Sequence, residues 1–318
     1  MAAPTLEQLR TLVAVVDEGT FEAAAITLGV TAPAVSQRIR ALEDGAGRVL
    51  VRRDKPVLPT EAGETLLRTA RQMLHLEQVL AVELDSSDSV LYDDDGADSR
   101  GAPLPHLSVP IAVNADSLSS WFLDALHAAG FGPRVVFDIR REDEAHSTEL
   151  LRRGEVMAAV TSDRTRVQGC RVVRLGAIRY LACVSPELAE HYGLSEGMDR
   201  LQRNRILRQI PFVDFDDRDD MQSAYFRALV GTEPAAPRHA IPATSEYIRA
   251  VTLSMGWGLL TEQQAEPLLS DGRIVSIAPE KPHTVPLYWQ HWKVRSTVLD
   301  RITEAVLDTA HELLPQGR

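Results

Sequence analysis

Between residues 20 and 42 the chain reads TFEAAAITLGVTAPAVSQRIRAL, where a single residue, Val30, separates a helix-closing glycine from a helix-capping threonine. Thr20 caps a first helix in which Phe21, Ala24, Ala25 and Leu28 share one face. Gly29 accepts the left-handed backbone that ends a helix, and Thr31 can cap the next one almost at once. Pro33 falls in the first turn of that second helix, where its missing N–H costs little, and Val35, Ile39 and Leu42 repeat at i, i+4, i+7. So short a connection holds two helices in a steep pairing that needs a third apolar surface to close a core. Leu6, Leu9, Leu12, Val13 and Val16 supply it as an amphipathic first helix.

The outward face of the second helix carries Thr31, Ala32, Pro33, Ser36, Gln37 and Arg40. Small residues at its N-terminal end let a helix enter a groove closely, while Ser, Gln and Arg bond to base edges and phosphates. The pattern predicts a helix-turn-helix reader of DNA, against the plainer alternative of a helical hairpin with an ordinary polar face. Residues 49–58, VLVRRDKPVL, add an apolar run, a basic turn and a second apolar run, as a two-stranded wing requires. From residue 38 to 55, six basic side chains (Arg38, Arg40, Arg48, Arg52, Arg53, Lys55) face three acidic ones (Glu43, Asp44, Asp54). Arg40 and Arg53 are the candidates for phosphates or the minor groove, with Arg52 beside them.

A net charge of −11 over 318 residues argues against a protein that coats nucleic acid by bulk attraction, and leaves room for a selective reader with one small basic face. No apolar run approaches the roughly 18 residues of a membrane helix, and the N-terminus has no basic-then-apolar export pattern, so a cytoplasmic protein without a membrane partner is expected. Cys170 and Cys183 read as buried free thiols, with neither a disulfide framework nor a metal site. The nucleophile elbow, the phosphate loop, the dinucleotide glycine motif and paired zinc histidines do not occur; no enzyme activity, cofactor or metal is expected.

Thr60 caps a long helix over 61–84 whose apolar residues keep close to a three-four alternation. Leu66, Ala70, Met73, Leu74, Leu80 and Leu84 are the candidates for a dimer seam, interrupted by Glu77; the alternative is a helix packed on its own domain. Residues 86–105 are acidic and rich in Ser, Gly and Pro, a linker in which Asp93, Asp94, Asp95 and Asp98 read as solvated charge more readily than as a calcium loop. From 106 the texture alternates between strands and helices, which predicts an α/β domain with a parallel sheet. The expected organisation is a DNA-binding domain over 1–60, the helix over 61–85, the linker, and an effector domain over 106–318. In that last domain one lobe spans about 106–164 and 270–318, the other about 165–269, with a hinged cleft. Strands are expected at 171–175, 179–184 and 273–277, and a single helix over 117–129.

With these elements in place, the sequence resembles the LysR-type transcriptional regulators over nearly its whole length. FEAAAITLGVTAPAVSQRIRALE, Gly47, Val51-Arg52-Arg53 and Pro59-Thr60-Glu61-Ala62-Gly63 carry the likeness. The second half is similar to the arginine- and lysine-responsive branch (ArgP or LysG type), through IAVNADSLSSWF, VQGCRVVRLGAIRYLACVSP, FDDRDDMQ and VPLYWQHWK. The resemblance implies an N-terminal winged helix-turn-helix, a long linker helix and a two-lobed, periplasmic-binding-protein-like effector domain. It also implies a homodimer or homotetramer on promoter DNA, a basic amino acid as effector, and control of its exporter, with RNA polymerase a further candidate partner. Gly45 and Ala46 depart from the better helix formers usual at the end of the reading helix, so an early fraying is expected there.

Ligands of open α/β lobes bind beyond the carboxyl ends of strands, where helix N-termini suit an anion. Asn114, Asp116 and Ser117 form such a junction, with Ser117 toward a carboxylate and Asp116 toward an ammonium; plain capping is the alternative. Thr161 ends another strand, and Trp121 reads either as a pocket wall or as core. A cationic side chain needs a carboxylate partner at the far end, for which Asp219, Asp220 and Glu246 are the candidates.

Overall fold

The computed structural model describes residues 3–84, 106–142, 144–195, 197–216 and 219–316, so the expected acidic linker over 86–105 lies outside the described residues. The chain divides into two compact units, one of Met1–Asn114, Ala125–Val173 and Tyr288–Val306, the other of Ala115–Asp124, Arg174–Leu287 and Leu307–Arg318. Among the described residues no helix is long and apolar enough to cross a membrane.

The first unit opens with α1 (Leu6–Asp17), α2 (Phe21–Leu28) and α3 (Ala32–Ala46). Each begins on a threonine: Thr5, Thr20 and Thr31 accept the N–H groups of Gln8, Ala23 and Ala34. Gly29 and Gly47, at φ 64° and 67°, close α2 and α3 in the left-handed region. The reading helix therefore runs through Gly45 and Ala46 without the expected fraying, because Gly47 stops it and the Arg48 N–H returns to the Glu43 carbonyl at 3.2 Å. Leu12, Val15, Ala24, Val35, Ile39 and Leu42 form the core between the three helices. The wing is β1 (Val51–Arg52) antiparallel to β2 (Leu58–Pro59).

The long helix α4 (Glu61–Leu84) follows. Its start is locked onto the wing: Thr60 Oγ1 accepts the Gly63 N–H at 3.1 Å and donates to the Val49 carbonyl at 2.8 Å. Gly63 is required, since a Cβ there would lie 2.0 Å from the Leu50 carbonyl oxygen. One face of α4 rests on α1, through Arg71 to Asp17 and Glu77 to Arg10 at 2.6 Å. Glu77, the break in the expected seam, is thus an internal ion-pair partner. Of the expected seam residues, Ala70 is fully buried within its own chain, Leu66 and Leu74 are half-buried, and Met73 and Leu80 are exposed together with Leu76. Leu84 is the last residue of the helix.

The chain continues with β3 (Leu107–Val113), α5 (Ala115–Ser120), α6 (Phe122–Ala128), β4 (Val135–Arg141), α7 (Glu144–Arg153) and β5 (Ala158–Thr161). The helix expected over 117–129 is two, broken at Trp121, which is wholly buried. Then come β6 (Cys170–Val184), α8 (Pro186–His191), α9 (Arg200–Leu207), β7 (Phe212–Asp214), α10 (Met221–Val230), β8 (Arg238–Ala240), α11 (Thr244–Thr252), β9 (Gly258–Thr261), α12 (Glu262–Ser270), β10 (Val275–Ser276), β11 (His283–Trp292) and α13 (Thr297–Leu313). In the first unit β4, β3 and β5 are parallel neighbours, and β11 joins β5 antiparallel, so the sheet is mixed there rather than wholly parallel. In the second unit β9 and β10 pair antiparallel with β6, and β7 lies parallel to β8. Residues 270–287 stand with the second unit; the chain passes back to the first within β11.

The two strands expected over 171–184 are one. Gly176 sits mid-strand at φ 137°, where a Cβ would meet Leu314 Cβ at 3.0 Å and the Pro315 carbonyl at 3.1 Å, so the C-terminal segment crosses the strand there.

Farther along α4, His75 is buried, its Nε2 3.3 Å from Ser296 Oγ and its ring edge-on to Trp292. Burial pushes its pKa down from 6.5 to about 4. The folded state therefore resists a proton that the unfolded chain takes up near pH 6.5. This stabilisation is full above pH 6.5, falls by about 1.4 kcal/mol per pH unit below that, and stops falling near pH 4. We expect the wild type to lose about 2 kcal/mol more than a His75→Gln variant between pH 7.5 and pH 5, read from urea unfolding. Parallel pH curves for the two proteins would refute it.

Candidate DNA-reading and effector sites

The reading helix α3 is fixed from behind before it presents anything. Val35, Ile39 and Leu42 are buried, Arg38 is ion-paired to Glu7 of α1, and Glu43 Oε1 accepts the N–H groups of Leu50 and Val51 at 2.8 and 3.3 Å. On the other side Thr31, Pro33, Gln37 and Arg40 are exposed, with Ala32 and Ser36 half-buried. Thr31 also caps the helix, its Oγ1 3.4 Å from the Ala34 nitrogen. Arg52, Arg53 and Lys55 are exposed in the wing. The Arg53 guanidinium lies 5.5 Å over the Phe21 ring, a cation–π contact that holds it at the start of α2. Arg52 stands 4.0 Å from Asp54. The basic side chains of residues 38–55 are therefore unequal: Arg38 is neutralised inside the domain, whereas Arg40 and Arg53 face outward.

In the first unit, Asn114 and Thr161 follow or end the neighbouring parallel strands β3 and β5, at matching register. Thr161 is wholly buried and its Oγ1 accepts the Asp163 N–H at 3.1 Å. The remaining effector candidates belong to the second unit. Asp116, half-buried on α5, accepts the Tyr180 phenol at 2.7 Å through Oδ2. Ser117 and Trp121 are wholly buried, Trp121 edge-on to Phe122, which places it in the core and leaves it no solvent-facing wall.

The three candidate distal acids have different surroundings. Asp219 accepts the Phe215 and Met221 N–H groups at 3.1 and 2.9 Å, tying the loop to the first residue of α10. Asp220 is exposed and paired to Arg227 at 2.7 Å; Glu246 is exposed and accepts from Ser245 at 3.1 Å. Tyr247 follows Glu246 on α11. It is buried in the core with Val213, Val251 and Leu260, and its Oη accepts from Gln222 Nε2 and from the Leu259 N–H, both at 2.9 Å. Burial drives its pKa far up, and the nearby charges of Asp219 and Asp116 push it the same way. Those two acids therefore act on one buried phenol.

Four polar residues of this region were not singled out in the sequence: Tyr180, Asp214, Gln222 and Tyr247. Asp214, at the carboxyl end of β7, is wholly buried. Burial, then the neighbouring Asp219, raise its pKa to about 6 against the opposing pull of Arg238, 3.3 Å away. Its signal was a carboxylate ending an apolar strand, the position at which α/β lobes bind ligands.

Two family models cover this chain: residues 6–64 match the bacterial regulatory helix-turn-helix protein of the lysR family, and residues 109–311 match the LysR substrate binding domain. The chain belongs to the LysR family. This LysR-family chain is 38% identical over 306 residues to the lysine export transcriptional regulatory protein LysG of Corynebacterium glutamicum, covering 96% of this chain and 97% of that one. The crystal structure of ArgP from Mycobacterium tuberculosis superposes with a TM-score of 0.83 at 37% identity, covering 100% of both chains. Full-length LysG from C. glutamicum with bound effector Arg gives 0.77 at 36% identity, over 98% of this chain and 99% of that one. The winged helix-turn-helix of this LysR regulator is accordingly its DNA-binding part.

Arg53→Ala should weaken binding to all DNA sequences alike and reduce the log–log salt slope by about one, as one phosphate contact is lost. Gln37→Ala should instead cost about 1–3 kcal/mol on the preferred site and relax sequence preference. Titrations of operator and scrambled DNA at several salt concentrations test both; an unchanged preference in Gln37→Ala would refute base reading by that residue.

Proposed function

We propose that this regulator responds to a basic amino acid, L-lysine or L-arginine with L-histidine a third candidate, and controls a gene for its export from the cytoplasm. The observation that carries the reading is the arginine-bound LysG, similar to this chain along nearly its full length. The charge of the second unit supports it. A ligand with two cationic groups taken from water needs carboxylates to receive them. Asp116 is assigned the α-ammonium and Asp219 the side-chain cation, because both are half-buried, whereas Asp220 and Glu246 are exposed on the surface. Ser117 is assigned to the carboxylate end. Calorimetric titration of lysine, arginine, histidine and leucine into the full chain tests this. Lysine or arginine should bind and leucine should not, and Asp116→Ala should lose at least about tenfold in affinity for them, about 1.4 kcal/mol. Binding of an unrelated metabolite, with no heat from any basic amino acid, would overturn the proposal.

We infer further that two copies associate along α4. Met73, Leu76 and Leu80 are exposed at i, i+3, i+7, an apolar seam at coiled-coil spacing, with half-buried Leu66 and Leu74 at its margin. Leu80→Glu should lower the sedimentation mass to that of a single chain and weaken binding to paired half-sites; an unchanged assembly would count against the seam.

A further inference from the structure

Gln222, in the first turn of α10, is 3% exposed, and its amide is only half used. Nε2 donates to Tyr247 Oη, while Oε1 has no hydrogen-bond partner among the described residues. The phenol cannot help further, since the Leu259 N–H and the Gln222 amide already occupy both its acceptor positions. Nor can it move back, because the niche is cut to its size: a Cβ on Gly258 would lie 2.4 Å from Oη and 2.9 Å from Cζ. Turning the amide over would let Oε1 accept the phenol's proton but would leave both amide N–H groups without that partner. Either way the pair keeps hydrogen-bonding capacity in a buried place, where an unmet polar group costs free energy that a partner would recover.

The surroundings decide what would use it. Asp219 accepts the N–H of Met221, the residue next to Gln222, so a carboxylate stands at the entrance of the same helix. Asp116, held by Tyr180, lies on α5, which packs against the α11 that carries Tyr247. An acceptor among carboxylates attracts a cationic donor and repels an anion. We propose that Gln222 is a specificity residue of the effector site, its side-chain carbonyl accepting an N–H of the effector's side-chain cation beside Asp219. This rests on the basic-amino-acid reading above. It adds a neutral, directional acceptor to a site otherwise selective through charge alone.

The test is calorimetric titration of L-lysine, L-arginine and L-norleucine, which is lysine without its ammonium, into the full chain and into Gln222→Leu, Gln222→Glu and Tyr247→Phe variants. Gln222→Leu should lose at least about tenfold in lysine and arginine affinity and change norleucine by less than about threefold. Gln222→Glu, close in shape, should keep or tighten lysine binding relative to norleucine, and it carries the test if the leucine variant fails to fold by circular dichroism. If Gln222 only braces Tyr247, then Gln222→Leu and Tyr247→Phe weaken all three ligands alike, and the inference is overturned. Unchanged lysine affinity in Gln222→Leu, with normal binding by the wild type, overturns the inference alone. No binding of either basic amino acid by the wild type overturns the underlying reading and this inference with it.

Discussion

A helix of 24 residues has one cylindrical surface, and α4 divides it three ways. One strip is committed to α1 by two ion pairs, Asp17 with Arg71 and Arg10 with Glu77. A second is committed to the α/β part of the same unit: Arg71 also donates to the Arg153 carbonyl, His75 meets Trp292 and Ser296, and Gly154 lets the Arg68 backbone approach to 3.0 Å of where its Cβ would stand. Among the described residues the third strip, Met73, Leu76 and Leu80, is left apolar and exposed. Arg71 belongs to two of these contacts at once, so the reading helices and the α/β layer are fastened to α4 at one level. A proton on His75 would enter that junction without a matching carboxylate, which is why its burial matters more to the first unit than one hydrogen bond would.

The second unit holds the opposite kind of constraint. Asp214 is wholly buried with one oxygen on Arg238, and the Tyr247–Gln222 pair fills a niche that only a glycine at 258 allows. Apolar side chains of similar volume would pack there at lower cost. Asp219 is the exception, since its two oxygens accept the N–H groups of Phe215 and Met221. Its charge nonetheless adds to burial in raising the pKa of both Asp214 and Tyr247.

How much of this was legible depended on whether the cause was local. Thr20, Gly29, Thr31, Gly47 and Thr60 act within one turn of backbone, and each does in three dimensions what its chemistry dictates in one. The family resemblance was legible for the same reason, being carried by contiguous runs. The strand over 170–184 was read as two, and its Gly176 admits the crossing of residues 314–316, more than a hundred positions away, which no local pattern shows. The strand β9 and helix α12 went unread, although the glycines before them do permit close packing, Gly256 against the Pro211 backbone and Gly258 against Tyr247. The short helix α9, RLQRNRIL, has too few apolar residues to announce itself. On α4 the periodicity located an apolar stripe but could not say which part the chain itself would cover, so Ala70 was counted outward and Leu76 omitted. Gln222 and Tyr247 lie 25 residues apart and acquire meaning only through their contact.

The charge distribution links the two ends of the molecule. With a net charge of −11, the chain as a whole is repelled by DNA, and attraction is left to a few side chains near the reading helix. Arg38 is consumed by Glu7 and Arg52 stands beside Asp54, which leaves Arg40, Arg48, Arg53 and Lys55 as the outward cations closest to α3. Each phosphate neutralised contributes about 0.9 to the salt slope, so one such domain commands only a shallow dependence and a weak non-specific hold. Affinity sufficient to find one promoter then has to come from base contacts and from joining two reading heads, for which effective concentration does the work. In the association proposed above, the exposed strip of α4 does that joining, so the seam and the sparse wing answer the same electrostatic constraint.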